Sequence, residues 1–70
     1  MELQQLIRAM RAIRKPEVLQ LTGMSSATMW RRIKDDGFPK PFKLGGGRAV
    51  AWLEKDISDW LEAQAAKRGV

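Results

Sequence analysis

The sequence predicts a mainly α-helical domain carrying one small β-hairpin, and three observations lead there. Two short amphipathic helical patterns are separated by Thr22-Gly23-Met24. A Gly45-Gly46-Gly47 turn is flanked by alternating apolar residues, and a longer helical pattern follows Trp52. Helix, tight turn, helix and ribbon is the element order of a winged helix-turn-helix.

In chain order, Leu3, Leu6, Ile7 and Met10 recur at helical spacing, so residues 2–12 are expected to form an amphipathic N-terminal extension. This segment is expected to pack on the domain, to pair with a second copy, or to fray. Pro16 suits a first helical turn, where its missing N–H costs nothing, which starts a helix running to about Leu21. Val18, Leu19 and Leu21 are its apolar residues. Gly23 is expected to end it in the left-handed conformation, with Met24 tucked back into the core. Ser25 is a good N-cap for the next helix, Ser26 to Lys34. At 3.6 residues per turn, Met29 and Ile33 share one face of that helix, while Ala27, Trp30, Arg31 and Lys34 lie nearly opposite. Asp35-Asp36-Gly37 stops it, with Gly37 expected at the left-handed position.

Pro39 and Pro41 cannot donate ladder hydrogen bonds and exclude a central strand there. Phe42 and Leu44 on one side of the glycines, and Val50 and Trp52 on the other, alternate as hairpin strands do. A two-stranded ribbon alone is marginal, so it is expected to pack on the helices through Trp52 and Phe42. The last helix is expected from about Glu54 to Ala66. It has Ile57, Trp60, Leu61 and Gln64 on its inner stripe and acidic residues in its first turn, where they complement the dipole. The expected layout is therefore an extension over 1–12, a winged helix-turn-helix domain over 13–66 and a tail over 67–70.

At 70 residues the chain makes one domain, which buries only about 60% of the surface its unfolded form exposes. With neither Cys nor His present, disulfides and the usual metal ligands cannot compensate, leaving self-association or ligand binding. No cofactor or metal is expected. Without Cys, His or Tyr, and with no nucleophile motif, the common groups for proton transfer and covalent catalysis are missing, so no catalytic residue is assigned. No apolar run approaches the roughly 20 residues that cross a bilayer, and no membrane partner is expected. The predicted location is cytoplasmic, associated with the nucleoid.

The net charge of +5 is unevenly spread: residues 14–34 carry +4, whereas 53–70 carry −1. Positive charge concentrated on a folded element points to a polyanion partner.

At the level of residues, Glu17 to Ile33, Phe38-Pro39-Lys40-Pro41-Phe42-Lys43-Leu44-Gly45 and Arg48-Ala49-Val50-Ala51-Trp52 resemble the AlpA family of phage and prophage regulators. The resemblance covers roughly residues 13–64, and the Phe-Pro-Lys-Pro and Gly-Arg-Ala-Val-x-Trp blocks are its most specific part. Trp30 stands where the family more often has Tyr. The resemblance implies a MerR-like, excisionase-like winged helix, and a transcriptional regulator of a prophage or integrative element that controls integrase or excision genes.

On that reading the partner is double-stranded DNA, and the candidate contact residues are Ser25, Ser26, Ala27, Thr28, Trp30, Arg31, Lys34, Lys43 and Arg48. The start of the second helix would meet phosphate, Arg31 and Lys34 would reach base edges or phosphates, and Trp30 would pack on a sugar or thymine methyl. Lys43 and Arg48 on the wing would clamp a phosphate or enter the minor groove. RNA polymerase or a phage integrase, and a homodimer or cooperative array on DNA, are the further partners this implies. Two alternatives stay open: an excisionase that bends DNA and recruits integrase, and a protein-interaction module docking through Leu3, Leu6, Ile7, Met10 and Trp30.

Overall fold

The computed structural model describes residues 2–68. Its elements are α1 (Leu3–Ala9), β1 (Ala12–Ile13), α2 (Lys15–Thr22), α3 (Ser26–Lys34), β2 (Phe42–Lys43), β3 (Val50–Leu53) and α4 (Glu54–Ala66). Residues 69 and 70 of the expected tail lie outside the described residues. None of the helices described is long and apolar enough to cross a membrane.

Local chemistry sets the helix ends. Arg14 enters α2 in an extended conformation, with Pro16 in the first turn. Gly23 leaves it at φ +72°, its N–H donating to the Leu19 carbonyl at 2.8 Å. In α3 the Ser25 hydroxyl accepts from the Thr28 N–H at 3.2 Å, satisfying one of the unpaired donors of a helix start. At the other end, the Asp36 N–H donates to the Ile33 carbonyl and the Gly37 N–H to the Arg32 carbonyl at 2.7 Å. This is the paired closure of a Schellman motif. Its left-handed residue is Asp36, at φ 59°, not the expected Gly37. The helix continues through Lys34 with Asp35 as its cap, so the reversal falls one residue earlier, and a short polar side chain tolerates it better than most. α4 has no side-chain cap; the Glu54 N–H donates instead to the Arg11 carbonyl at 2.8 Å.

That bond accompanies a third strand the periodicity did not indicate. β1 pairs antiparallel with β3 (Ala12 opposite Leu53, Ile13 opposite Trp52), and β2 pairs with the other edge of β3 (Phe42 opposite Ala51, Lys43 opposite Val50). The sheet order is thus β1-β3-β2. The N-terminal helix consequently stops at Ala9 instead of reaching residue 12, because the following residues belong to the sheet.

Directly opposed residues share a sheet face. Ile13, Trp52, Val50 and Lys43 therefore form one face, and Ala12, Leu53, Ala51 and Phe42 the other. Phe42 stands opposite Ala51, away from the Trp52 face, and is exposed; only Trp52 of the expected pair anchors the ribbon.

The core joins Ile13, Val18, Met29, Phe38, Trp52 and Ile57, with Leu19, Met24, Ile33, Val50, Trp60 and Leu61 packed around them. Each fully buried large side chain contributes about 1.5–3 kcal/mol of hydrophobic stabilisation. Phe38, unassigned by pattern, meets Trp60 edge-on at a centroid distance of 4.7 Å. Both core-side indoles find acceptors: Trp52 Nε1 donates to the Pro39 carbonyl at 2.9 Å, and Trp60 Nε1 to the Gly37 carbonyl at 2.7 Å. Leu21 is a further departure, lying 48% exposed on the wall of a cleft that α2 forms with α4.

Candidate nucleic-acid interface

The surface of α3 follows from its helical angles. Met29 is fully buried and Ile33 partly so, which turns Ala27, Trp30, Arg31 and Lys34 outward, all exposed. Trp30 does not stand free: it is 42% exposed and leans on Trp52, with ring centroids 6.2 Å apart and planes tilted by 48°. One side of its indole thus belongs to the domain and the other to the surface.

The N-terminus of α3 is more committed internally than its sequence suggests. The Ser25 hydroxyl both accepts from the Thr28 N–H and donates to the Thr28 hydroxyl at 3.0 Å. The Ser26 hydroxyl accepts from Lys15 Nζ at 3.3 Å. The backbone N–H groups of Ser26 and Ala27 have no acceptor among the described residues. They and the positive end of the helix dipole are what this terminus offers an anion. Lys15 was not a candidate from sequence. Only the packing of α2 beside α3 brings its ammonium to this point, and no local signal announces it.

The hairpin loop is closed by the Leu44 N–H donating to the Ala49 carbonyl at 2.9 Å, with Gly45 at φ +69°. Lys43 and Arg48 flank this loop and are exposed. Lys43 lies opposite Val50, on the same sheet face as Trp52, the ring against which Trp30 rests. The structure thus connects the α3 face and the base of the wing through a Trp30–Trp52–Val50–Lys43 path, while Arg48 sits farther out in the loop.

Charge pairing is unevenly spread over the surface. The ion pairs found among the described residues are Arg11 with Glu17 and Glu54, Lys40 with Asp36, and Lys55 with Asp59. Arg14, Arg31, Arg32, Lys34, Lys43 and Arg48 take part in none of them. On α4, by contrast, the Asp59 carboxylate hydrogen-bonds Lys55 and raises its pKa above the ordinary lysine value. Cations without partners keep their full field for an external anion, whereas paired ones are largely neutralised. Among the described residues no group of His, Cys, Asp and Glu is arranged to hold a metal ion.

Comparison with known proteins gives the family. The family described as "Prophage CP4-57 regulatory protein (AlpA)" matches residues 11–65, from the Arg11 anchor of the sheet to the last turn of α4. The DNA-binding transcriptional activator AlpA of Escherichia coli K12 is 42% identical over 59 residues, covering 76% of this chain and 83% of that protein. An uncharacterised protein of Enterobacteria phage P4, ORF88, is 38% identical over 58 residues, covering 83% of this chain. The chain spans 65% of the length of that phage protein. No solved structure matches significantly. With a family match over most of its length, and with the helix-turn-helix and hairpin that the matched residues build, the chain belongs to the AlpA family of prophage regulatory proteins.

Proposed function

We propose that this protein is a sequence-specific double-stranded DNA-binding transcriptional regulator of a prophage or integrative element. α3 would lie in the major groove and the hairpin wing on the adjacent backbone. The observation that carries this reading is the exposed α3 face, where Arg31 and Lys34 stand without ion-pair partners beside a half-exposed Trp30. In this arrangement Arg31 and Lys34 supply base-edge or phosphate contacts, and Trp30 supplies an apolar edge for a thymine methyl or sugar. The Ser26 and Ala27 N–H groups, with Lys15 behind them, meet a phosphate. Lys43 and Arg48 hold a second phosphate position from the wing.

The relationship to an activator supports transcription as the task, and integrase or excision genes are the targets this reading assigns to it. An excisionase that recruits integrase would use the same surface, and an excision assay with the cognate integrase separates the two. The test of DNA binding itself is selection of duplexes from a random library, followed by affinity measurement across salt. With three to six phosphate contacts, log affinity should fall against log salt with a slope of about −3 to −5. A flat response, or selection that recovers no shared sequence, overturns the proposal.

A further inference from the structure

A second surface, sharing no residue with the basic face, carries an apolar ridge beside an apolar groove. The ridge is α1 with the turn residue that follows it: Leu3, Leu6, Ile7 and Met10 are between 46% and 70% exposed, and their spacing places them on one stripe. At seven residues, α1 is far shorter than the roughly 12–15 an isolated helix needs in water, so it depends on what it packs against. Within its own chain that support comes from α4. The groove is a cleft of about 440 Å³ between α2 and α4, lined by Leu21, Ile57 and Leu61, with Arg11, Glu17, Glu54 and Ser58 also on its walls. Arg11 follows directly on Met10, so ridge and groove adjoin.

We propose that this face is the interface of a homodimer in which α1 of each copy seats in the α2–α4 cleft of the other. A two-fold interface must be complementary to itself, and a ridge beside a matching groove satisfies that condition in both directions at once. Each charged side chain on the cleft wall has an opposite partner within the chain, Arg11 pairing with both Glu17 and Glu54, and the net charge of −1 that remains falls at the rim, where Arg11 and Glu17 are partly exposed. The exposed ridge amounts to a few hundred Å², the scale at which an apolar patch marks an interaction site. Two ridges covered reciprocally, together with the groove walls, reach roughly the 1,000 Å² a specific interface requires. Self-association also supplies the stabilisation that a chain without disulfide or metal otherwise lacks. The proposal is independent of DNA binding: no residue of α3 belongs to the ridge or the groove, and it stands or falls on the protein alone.

The native chain has no cysteine, which makes cross-linking clean. Sedimentation of the full chain at micromolar concentrations should give twice the 8.0 kDa monomer mass. Ile7→Glu and Leu21→Glu, each altering an exposed residue, should each return it to monomer while preserving the helical circular dichroism of α2 to α4. Oxidising a mixture of Ile7→Cys and Leu21→Cys chains should trap a disulfide-linked heterodimer, with little product from either variant alone. Monomer mass up to hundreds of micromolar overturns the proposal. So does cross-linking of Ile7→Cys to itself in preference to the mixture, which would place ridge on ridge.

Discussion

The Trp30 indole rests on that of Trp52, centroids 6.2 Å apart, so an outward residue of α3 is braced by the most deeply set aromatic of the sheet. The two rings carry different loads. Trp52→Ala removes a fully buried side chain together with its bond to the Pro39 carbonyl, and should cost about 3–5 kcal/mol, enough to unfold so small a domain. Trp30→Ala should cost only about 0.5–1.5 kcal/mol for the lost ring pair. It should weaken binding to a selected duplex by about tenfold, or 1.4 kcal/mol. Urea unfolding and a binding titration on both variants check this; a Trp30→Ala protein that unfolds as readily as Trp52→Ala would contradict it.

Lys43→Ala and Arg48→Ala should each reduce the salt slope of DNA affinity by about 1, uniformly across sequences. Both residues are exposed and outside the ion pairs, so melting temperatures should move by no more than about 4 °C. Unchanged slopes in both variants would remove the wing from the interface.

Ser25→Ala tests the cap separately from any contact with DNA. Loss of the bond to the Thr28 N–H should destabilise the domain by about 1 kcal/mol, and Ser25→Gly by only a few tenths. Unchanged stability in Ser25→Ala would show that the hydroxyl is not what stabilises the start of α3.

Asp36→Gly should stabilise the protein. Asp36 holds φ 59° and places a carboxylate at the negative end of α3, and glycine relieves both, for roughly 0.5–1 kcal/mol and a rise of several degrees in Tm. The exposed Lys40 pair lost in exchange contributes little. A lower Tm would mean that this pair outweighs the backbone effect.

α3 and α4 were legible because their boundaries are written in local chemistry: a serine cap, a stripe of apolar residues, carboxylates in a first turn. The outward set Ala27, Trp30, Arg31 and Lys34 followed from the same angles. β1 was not legible, since two residues show no period and Ala12–Ile13 is a strand only through pairing with Leu53 and Trp52, forty residues away. Phe42 was misplaced for a related reason: which face it takes depends on hairpin register, and a one-residue slip reverses it. Lys15 and Phe38 owe their places to tertiary packing alone, and Asp36 to where α3 runs out.

The two indole N–H groups that end on the Gly37 and Pro39 carbonyls have a consequence for length. They pin the strap leaving α3 to β3 on one side and to α4 on the other, so α3 and the hairpin are held at one fixed span, like the jaws of a set gauge. An added or deleted residue between Gly37 and Pro41 would change that span while leaving every side chain on α3 intact. Its expected effect is a preference for duplexes of different groove width, with the same bases read.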